Sequence, residues 1–575
     1  MKKRWNYYIS LLTISTLILT GCSSSKVDVK EEGGVGTTGT ADRSTVLTST
    51  VIVDKEFTER DIEPGYEDST ATHITLSGES IDVAGSGATA KDSVLTISEE
   101  GTYVITGSLS EGQIIVDAED QDKVQMVLNG VNITSSTHAP IYIKKADKVF
   151  LTLGEDTKNT LTDGKEYLQS DENTVDGVIF SSADLTINGR GALSITGNYK
   201  HGIVSKDDLV ITGGTFDITA VKDAINGKDC VKIKDGTFSL STTTGNGIQS
   251  KNGDDTTKGY VYICGGNITV LEGKEGIEGT VILIEDGIID ITVEDDGFNA
   301  ASGTADTTET STTDQSITTK PESKTVAEGM TISADTTKPE GMTPPDGGIM
   351  PEQMTPPDGV TMPEGMTPPD ERTIPDDATN GAWGFGKGGF GGGGDNPFAV
   401  DSNCYISITG GVINIVASGD GIDSNGSLYI SGSQLFVTGP TNSGNSGLDY
   451  AGTAEITGGT VVVAGSVGMA QGFGNTSTQY SLLYNMTDTS EAGTEVTLKD
   501  KEDNTLVSYT PTKQYQSLVI SSPELKKDAT YTLTSGEQRA EITLTAIVTS
   551  NGQQGMGGQG MRGNPGQGNM QRPSR

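Results

Sequence analysis

A unit of about 22 residues repeats along this chain, and no other feature limits its possible folds as strongly. Aligned on the residue before Gly-Ile or its equivalent, one copy is "KHGIVSKDDLVITGGTFDITA" at His201 and the next is "KDAINGKDCVKIKDGTFSLST" at Asp223. There follow "GNGIQSK" at Asn246, "KEGIEGTVILIEDGIIDITVE" at Glu275 and "DDGFNAAS" at Asp296. Successive turn residues from His201 to Asp296 are 22, 23, 29 and 21 positions apart. After an interruption the pattern returns as "GDGIDSNGSLYISGSQLFVTG" at Asp420 and "SGLDYAGTAEITGGTVVVAG" at Ser446. Weaker copies carry Asp176 and lie near His138.

Leucine-rich repeats need an LxxLxL frame that is absent, and calcium-binding nonapeptide repeats are shorter. Each unit instead contains a short alternating strand such as "LVITG", a Gly-Gly turn, a second such as "TFDITA", and an acidic turn into a third, "AING" or "GIDS". Val, Ile and Thr suit stacked strands, and glycine supplies positive φ at corners. The predicted fold is therefore all-β: a right-handed parallel β-helix, or solenoid, with β-rich caps and a long disordered insertion. Composition agrees. Only 33% of residues are hydrophobic and 5% aromatic, while 77 are glycine, which is thin for one globular core but sufficient for a solenoid.

Stacking places equivalent turn residues over one another, so Asp223, Asn246, Glu275 and Asp296 form a predicted column that Asp176 and Asp420 extend. Like charges about 5 Å apart at an effective dielectric near 20 repel by on the order of 3 kcal/mol before screening. Asp-Gly and Asn-Gly are good turn formers, which explains single acids. It explains less well the clusters at Asp207-Asp208, Asp254-Asp255, Glu275 with Glu278, Glu294-Asp295-Asp296 with Asn299, and Asp420 with Asp423 and Asn425. Ca²⁺ takes several oxygen ligands in irregular geometry and is the expected cofactor. The first candidate site is Glu275, Glu278, Asp295, Asp296 and Asn299. A second is Asp223, Asn226 and Asn246, and Asp420 and Asp423 offer further ligands. A net charge of −39 excludes nucleic acid as a partner.

"DAING", "EGIEG", "DDGFNA", "ASGDGIDSNGSLYISG", "GPTNSGNSGLDYAG", "VVVAGSVGMAQGF" and "PTKQYQSLVISSPELKKDATYTL" together resemble a known family. It is the bacterial cell-surface carbohydrate-binding domain with a right-handed parallel β-helix, similar in shape to polysaccharide lyases of family nine. The resemblance covers roughly residues 70 to 540. It implies binding of cellulose-like and acidic polysaccharides such as polygalacturonate, with bound Ca²⁺ and no established catalysis. His201 and Asn246 depart from the family's Asp-Gly-Ile, and the resemblance gives no support for ligation there. Two other functions stay open. One is a calcium-dependent lyase of the pectate type, for which Lys222, Lys274 or Lys206 beside acids would be the base. The other is a structural adhesin or wall spacer without a defined sugar.

Residues 1–21 read as a lipoprotein signal peptide: Lys2, Lys3 and Arg4, then "YYISLLTISTLIL", then Leu19-Thr20-Gly21-Cys22. Lipidation at Cys22 would anchor the chain on the extracellular face of a bacterial membrane, and it is expected to act as a monomer. Residues 22–50 read as a tether, 51–302 as the first part of the solenoid with an N-terminal cap, and 401–475 as its last coils. Residues 476–548 read as a C-terminal β cap and 549–575 as a disordered tail. The insertion, 303–400, is rich in Thr, Pro, Met and Gly and repeats "PEGMTPPDG", "PEQMTPPDG" and "PEGMTPPDE". It contains Trp383, a candidate for stacking on a sugar ring. Cys230, Cys264 and Cys404 sit in strand-like runs and read as buried thiols.

Overall fold

The computed structural model describes residues 49–169, 173–303 and 399–552, all within one compact unit that begins at Ser49. The expected signal peptide, Cys22, nearly all of the expected tether, nearly all of the insertion with Trp383, and nearly all of the tail lie outside the described residues. The chain is all-β. Among the described residues the one α-helix is Glu59–Ile62, and no helix is long and apolar enough to cross a membrane.

Two large sheets are built from the repeat. In a 12-stranded sheet, His201–Ser205, Ile225–Gly227, Ile248–Ser250, Ile277–Gly279, Phe298–Ala300, Ile422–Ser424 and Leu448–Tyr450 pair in parallel, each with the next. Its register aligns Ile203, Ile225, Ile248, Ile277, Phe298, Ile422 and Leu448 in one column, all at most 1% exposed. The pleat sends the next residue of every strand to the other face. That column runs Asn226, Gln249, Glu278, Asn299, Asp423 and Asp449.

A 23-stranded sheet takes two strands from most units and is likewise parallel from one unit to the next, as in the pairing of Thr215–Ala220 with Thr237–Thr242. That register stacks the Phe216 and Phe238 rings 4.7 Å apart and 5° from parallel. Between the sheets lies one continuous aliphatic core from Ile74 to Val519. Gly214, Gly236, Gly266 and Gly287 hold positive φ at one corner, as expected. The glycine after each turn acid has a different reason. A Cβ on Gly297 would lie 2.3 Å from Ile415 Cγ2 and 2.4 Å from the Gly421 carbonyl, so at this turn the stacked units approach too closely for a side chain.

Parallel order ends where Thr460–Gly465 pairs antiparallel with Tyr515–Ser521, above a separate antiparallel sheet of four strands with its own apolar cluster. At the other end the chain does not simply cap the stack. Residues 51–63 run as a strap over the 23-stranded sheet. Ile52 donates to the Thr257 carbonyl, Lys55 pairs with Glu285 at 2.6 Å, and Lys232 pairs with Asp54 at 2.9 Å. Asp61, 3% exposed, fastens the strap through Lys148 at 2.9 Å and the Thr186 hydroxyl at 2.6 Å. Cys230 and Cys404 are buried, whereas Cys264 is half-buried, because a register shift in the Tyr260–Glu272 strand turns it away from the core.

Candidate metal centre

The predicted column exists as a hydrogen-bond ladder. Backbone bonds align Asp223, Asn246, Glu275, Asp296, Asp420 and Ser446, since the amide after each turn residue reaches the carbonyl of the next turn residue. Side chains add a second ladder. Asp223 Oδ1 accepts the Asn246 amide at 2.9 Å, Asn246 Oδ1 accepts that of Glu275 at 3.2 Å, and Asp296 Oδ1 accepts that of Asp420 at 2.6 Å. Asp420 accepts the Ser446 amide in the same way. Asp and Asn thus have a structural reason to occupy these turns, beyond turn propensity: each caps a donor one unit away.

That ladder divides the candidate ligands into two groups. The Asp223, Asn226 and Asn246 set is closed on itself. Asp223 is 3.2 Å from His201 Nδ1 and accepts Asn226 Nδ2 at 2.7 Å, and Asn246 Nδ2 donates to Glu278 at 2.6 Å. Burial would raise the Asp223 carboxyl, but His201, the Asn246 amide and Asn226 outweigh it and hold it below the usual range. Glu278 is also satisfied, by Asn246, Gln249 and an ion pair with Lys251. These four residues therefore offer a cation little that is free, against the sequence expectation. Asp176 lies among Lys200, His201 and Lys206 at 3.8–3.9 Å, so that end of the column is cationic.

The other group is only partly neutralised, by Lys274 at 3.1 Å from Glu275 and 4.0 Å from Asp295. Carboxylate oxygens of Glu275, Asp295 and Asp296 converge within 4.8 Å of one another, as do those of Asp296, Asp420 and Asp423, so the two triads share Asp296. Glu275 is 3% exposed, and its Oε2 has no hydrogen-bond partner; Asn299 Oδ1 is likewise buried and unpartnered. Burial first, then Asp295, pushes the Asp296 carboxyl up to about 8 despite the Asp420 amide. Burial and then Asp420 and Asp449 push Asp423 up to about 7, and burial pushes Asp420 up to about 6, with Asp449 and Asp295 adding to it. Glu275 is raised by burial and then by Glu278. Five carboxylates this close, one buried and four partly so, need protons or cations. The hard oxygen donors and two orphaned oxygens suit Ca²⁺.

Residues 91–342 match a family described as carbohydrate-binding domain-containing protein. Over these residues the chain is similar to a carbohydrate-binding family. A carbohydrate-binding domain-containing protein of Acetivibrio thermocellus, strain ATCC 27405, is 38% identical over 136 residues, which is 23% of this chain and 48% of the relative. The chain thus spans about half the length of that curated relative. A solved polysaccharide lyase-like protein from C. thermocellum, a gadolinium derivative, shares 31% identity. It covers 39% of this chain and 91% of its own, with a TM-score of 0.37.

The carbohydrate-binding match includes Glu275, Asp295, Asp296 and Asn299 but ends before Asp420 and Asp423, which the fold returns to the same place. Sequence reasoning missed Asp449, which stacks on Asp423. Alignment of "GLDY" with "GIDS" holds that signal, three positions after the turn residue used as the guide. It also missed Asp184, which joins Asp207 and Asp208 in a third triad on the 23-stranded sheet. Lys258 stands beside that triad and pairs with Asp229 at 3.0 Å. Of the candidate bases, Lys274 lies 3.1 Å from Glu275 and 4.0 Å from Asp295. Burial would lower its ammonium pKa, but those carboxylates raise it. Lys206 lies over the Phe180 ring at 5.3 Å. Lys222 stands next to Asp223, in the closed part of the column.

Proposed function

We propose that this protein is a surface polysaccharide-binding protein whose stacked units wind as a right-handed parallel β-helix. In this reading Glu275, Asp295, Asp296, Asp420 and Asp423, with Asn299, hold calcium. The observation that carries it is the pair of carboxylate triads sharing Asp296, with the Glu275 and Asn299 oxygens left unpartnered between strands. Bound calcium would supply positive charge with open coordination positions. That matters because a polyuronate and a chain of net charge −39 repel, and a cation held by one can bridge to the other. The ligand class is therefore an acidic polysaccharide such as polygalacturonate. Attachment through Cys22 to the outer face of a bacterial membrane belongs to the same reading and rests on the leader sequence.

A lyase is disfavoured for its best-placed base. Lys274 is kept protonated by the acids it touches, and a proton-abstracting amine needs the opposite shift. The deciding experiment is retention of the chain on immobilised polygalacturonate in calcium and in EDTA, with absorbance of unsaturated product followed. Retention that falls in EDTA, to whatever the chain holds without calcium, and produces no absorbance is expected. Equal retention in both would overturn the calcium bridge, and product absorbance would restore the lyase.

A further inference from the structure

Where the strap crosses the 23-stranded sheet it leaves a cleft of about 470 Å³ lined by Arg60, Lys123, Lys148, Glu59, Glu63 and Phe150. Two of its three cations are occupied. Lys148 is 2.9 Å from buried Asp61, and Lys123 is 3.4 Å from Asp147. Arg60 makes no ion pair among the described residues. Its guanidinium lies 4.3 Å over the Phe150 ring, which fixes its plane and leaves its N–H edge available. Arg60 is thus the one of the cleft's three cations that no carboxylate of the described residues compensates. A guanidinium edge matches a carboxylate with two parallel hydrogen bonds. Glu59 and Glu63 on the rim accept hydrogen bonds from hydroxyls, and their charge opposes a doubly charged phosphate. One free cation with hydroxyl acceptors beside it describes a carboxylated sugar.

We propose that this cleft binds the carboxylate of an acidic saccharide directly through Arg60, with no cation between them. It lies on the other sheet from the calcium ledge, and neither site depends on the other. The test is calorimetric titration of the full-length chain, in EDTA, with a galacturonic acid trimer. A neutral glucose trimer and inorganic phosphate serve as comparison ligands. Binding of the acidic trimer that weakens with added salt is expected. Arg60→Gln should weaken it at least tenfold, and Arg60→Lys by less because charge remains without the fork. Arg60 is exposed, so unchanged melting of its variants is expected and is checked alongside. No binding in EDTA, wild-type affinity in Arg60→Gln, or phosphate bound as tightly as the sugar would each overturn the assignment.

Discussion

Glu275 and Asp223 occupy the same place in turns two units apart, yet their carboxyls shift in opposite directions, and the neighbours decide which. Asp223 has His201, Asn226 and a backbone amide; Glu275 has Glu278 and an oxygen with no partner. The consequence is a pH dependence of defined sign. Asp296, Asp423 and Asp420 sit at about 8, 7 and 6 when folded, against an ordinary 3.8. A carboxyl raised on folding holds more protons folded than unfolded between those values. Stability therefore falls as pH rises through the folded pKa values. In EDTA the melting temperature should drop between pH 6 and pH 8.5, and calcium should remove the drop by replacing the protons. Glu275→Gln deletes one buried repelling charge, so in EDTA at pH 8.5 it should melt higher than the parent while gaining less from calcium. A melting temperature independent of pH in EDTA would show that the ledge is not strained by charge.

The strands were legible because alternation and the repeat report the same thing twice. An inward Ile at Ile225, Ile248, Ile277 and Ile422 fixes both the face and the register. The turn column was legible for the same reason. What the sequence hid was which acids are already neutralised, since Lys251 against Glu278 and His201 against Asp223 are matters of side-chain reach rather than spacing. The strap was also hidden. Its contacts join positions far apart, such as the Thr50 amide to Asn403 Oδ1 at 3.1 Å, and no periodicity marks them. The glycine of each Asp-Gly turn was assigned to backbone conformation, but close stacking is the stronger constraint. Gly297→Ala tests this, because its methyl would meet Ile415 and the Gly421 carbonyl, neither of which can swing aside. Overpacking of this kind costs about 1–3 kcal/mol, read as a lower denaturation midpoint, and should also loosen calcium binding by parting Asp296 from Asp420. Gly130→Ala has open space around its Cβ, so any cost there comes from positive φ alone and should leave calcium affinity unchanged.

The ledge joins two parts of the chain that are remote in sequence. Asp295 and Asp296 precede residues 304–398 and Asp420 and Asp423 follow them, while Phe298–Ala300 and Ile422–Ser424 pair directly. A cation shared by the two triads would therefore join units that residues 304–398 separate in sequence, and its binding energy adds to folding in proportion to ln(1 + [L]/Kd). Closure also has an entropic cost that grows with loop length as about (3/2)RT ln n. Replacing residues 304–398 with about ten Gly and Ser residues shortens the loop roughly tenfold, which should stabilise the fold by about 2 kcal/mol. Calcium affinity should stay the same, because every ledge residue and its neighbours are retained. Loss of calcium binding in that variant would mean the excised segment supplies ligands. Unchanged stability would mean the segment is not the entropic burden that a loop of its length imposes. Calcium titration and denaturant unfolding of the shortened chain separate these outcomes, and with them the question of whether the two halves meet through their strands alone or through the ion as well.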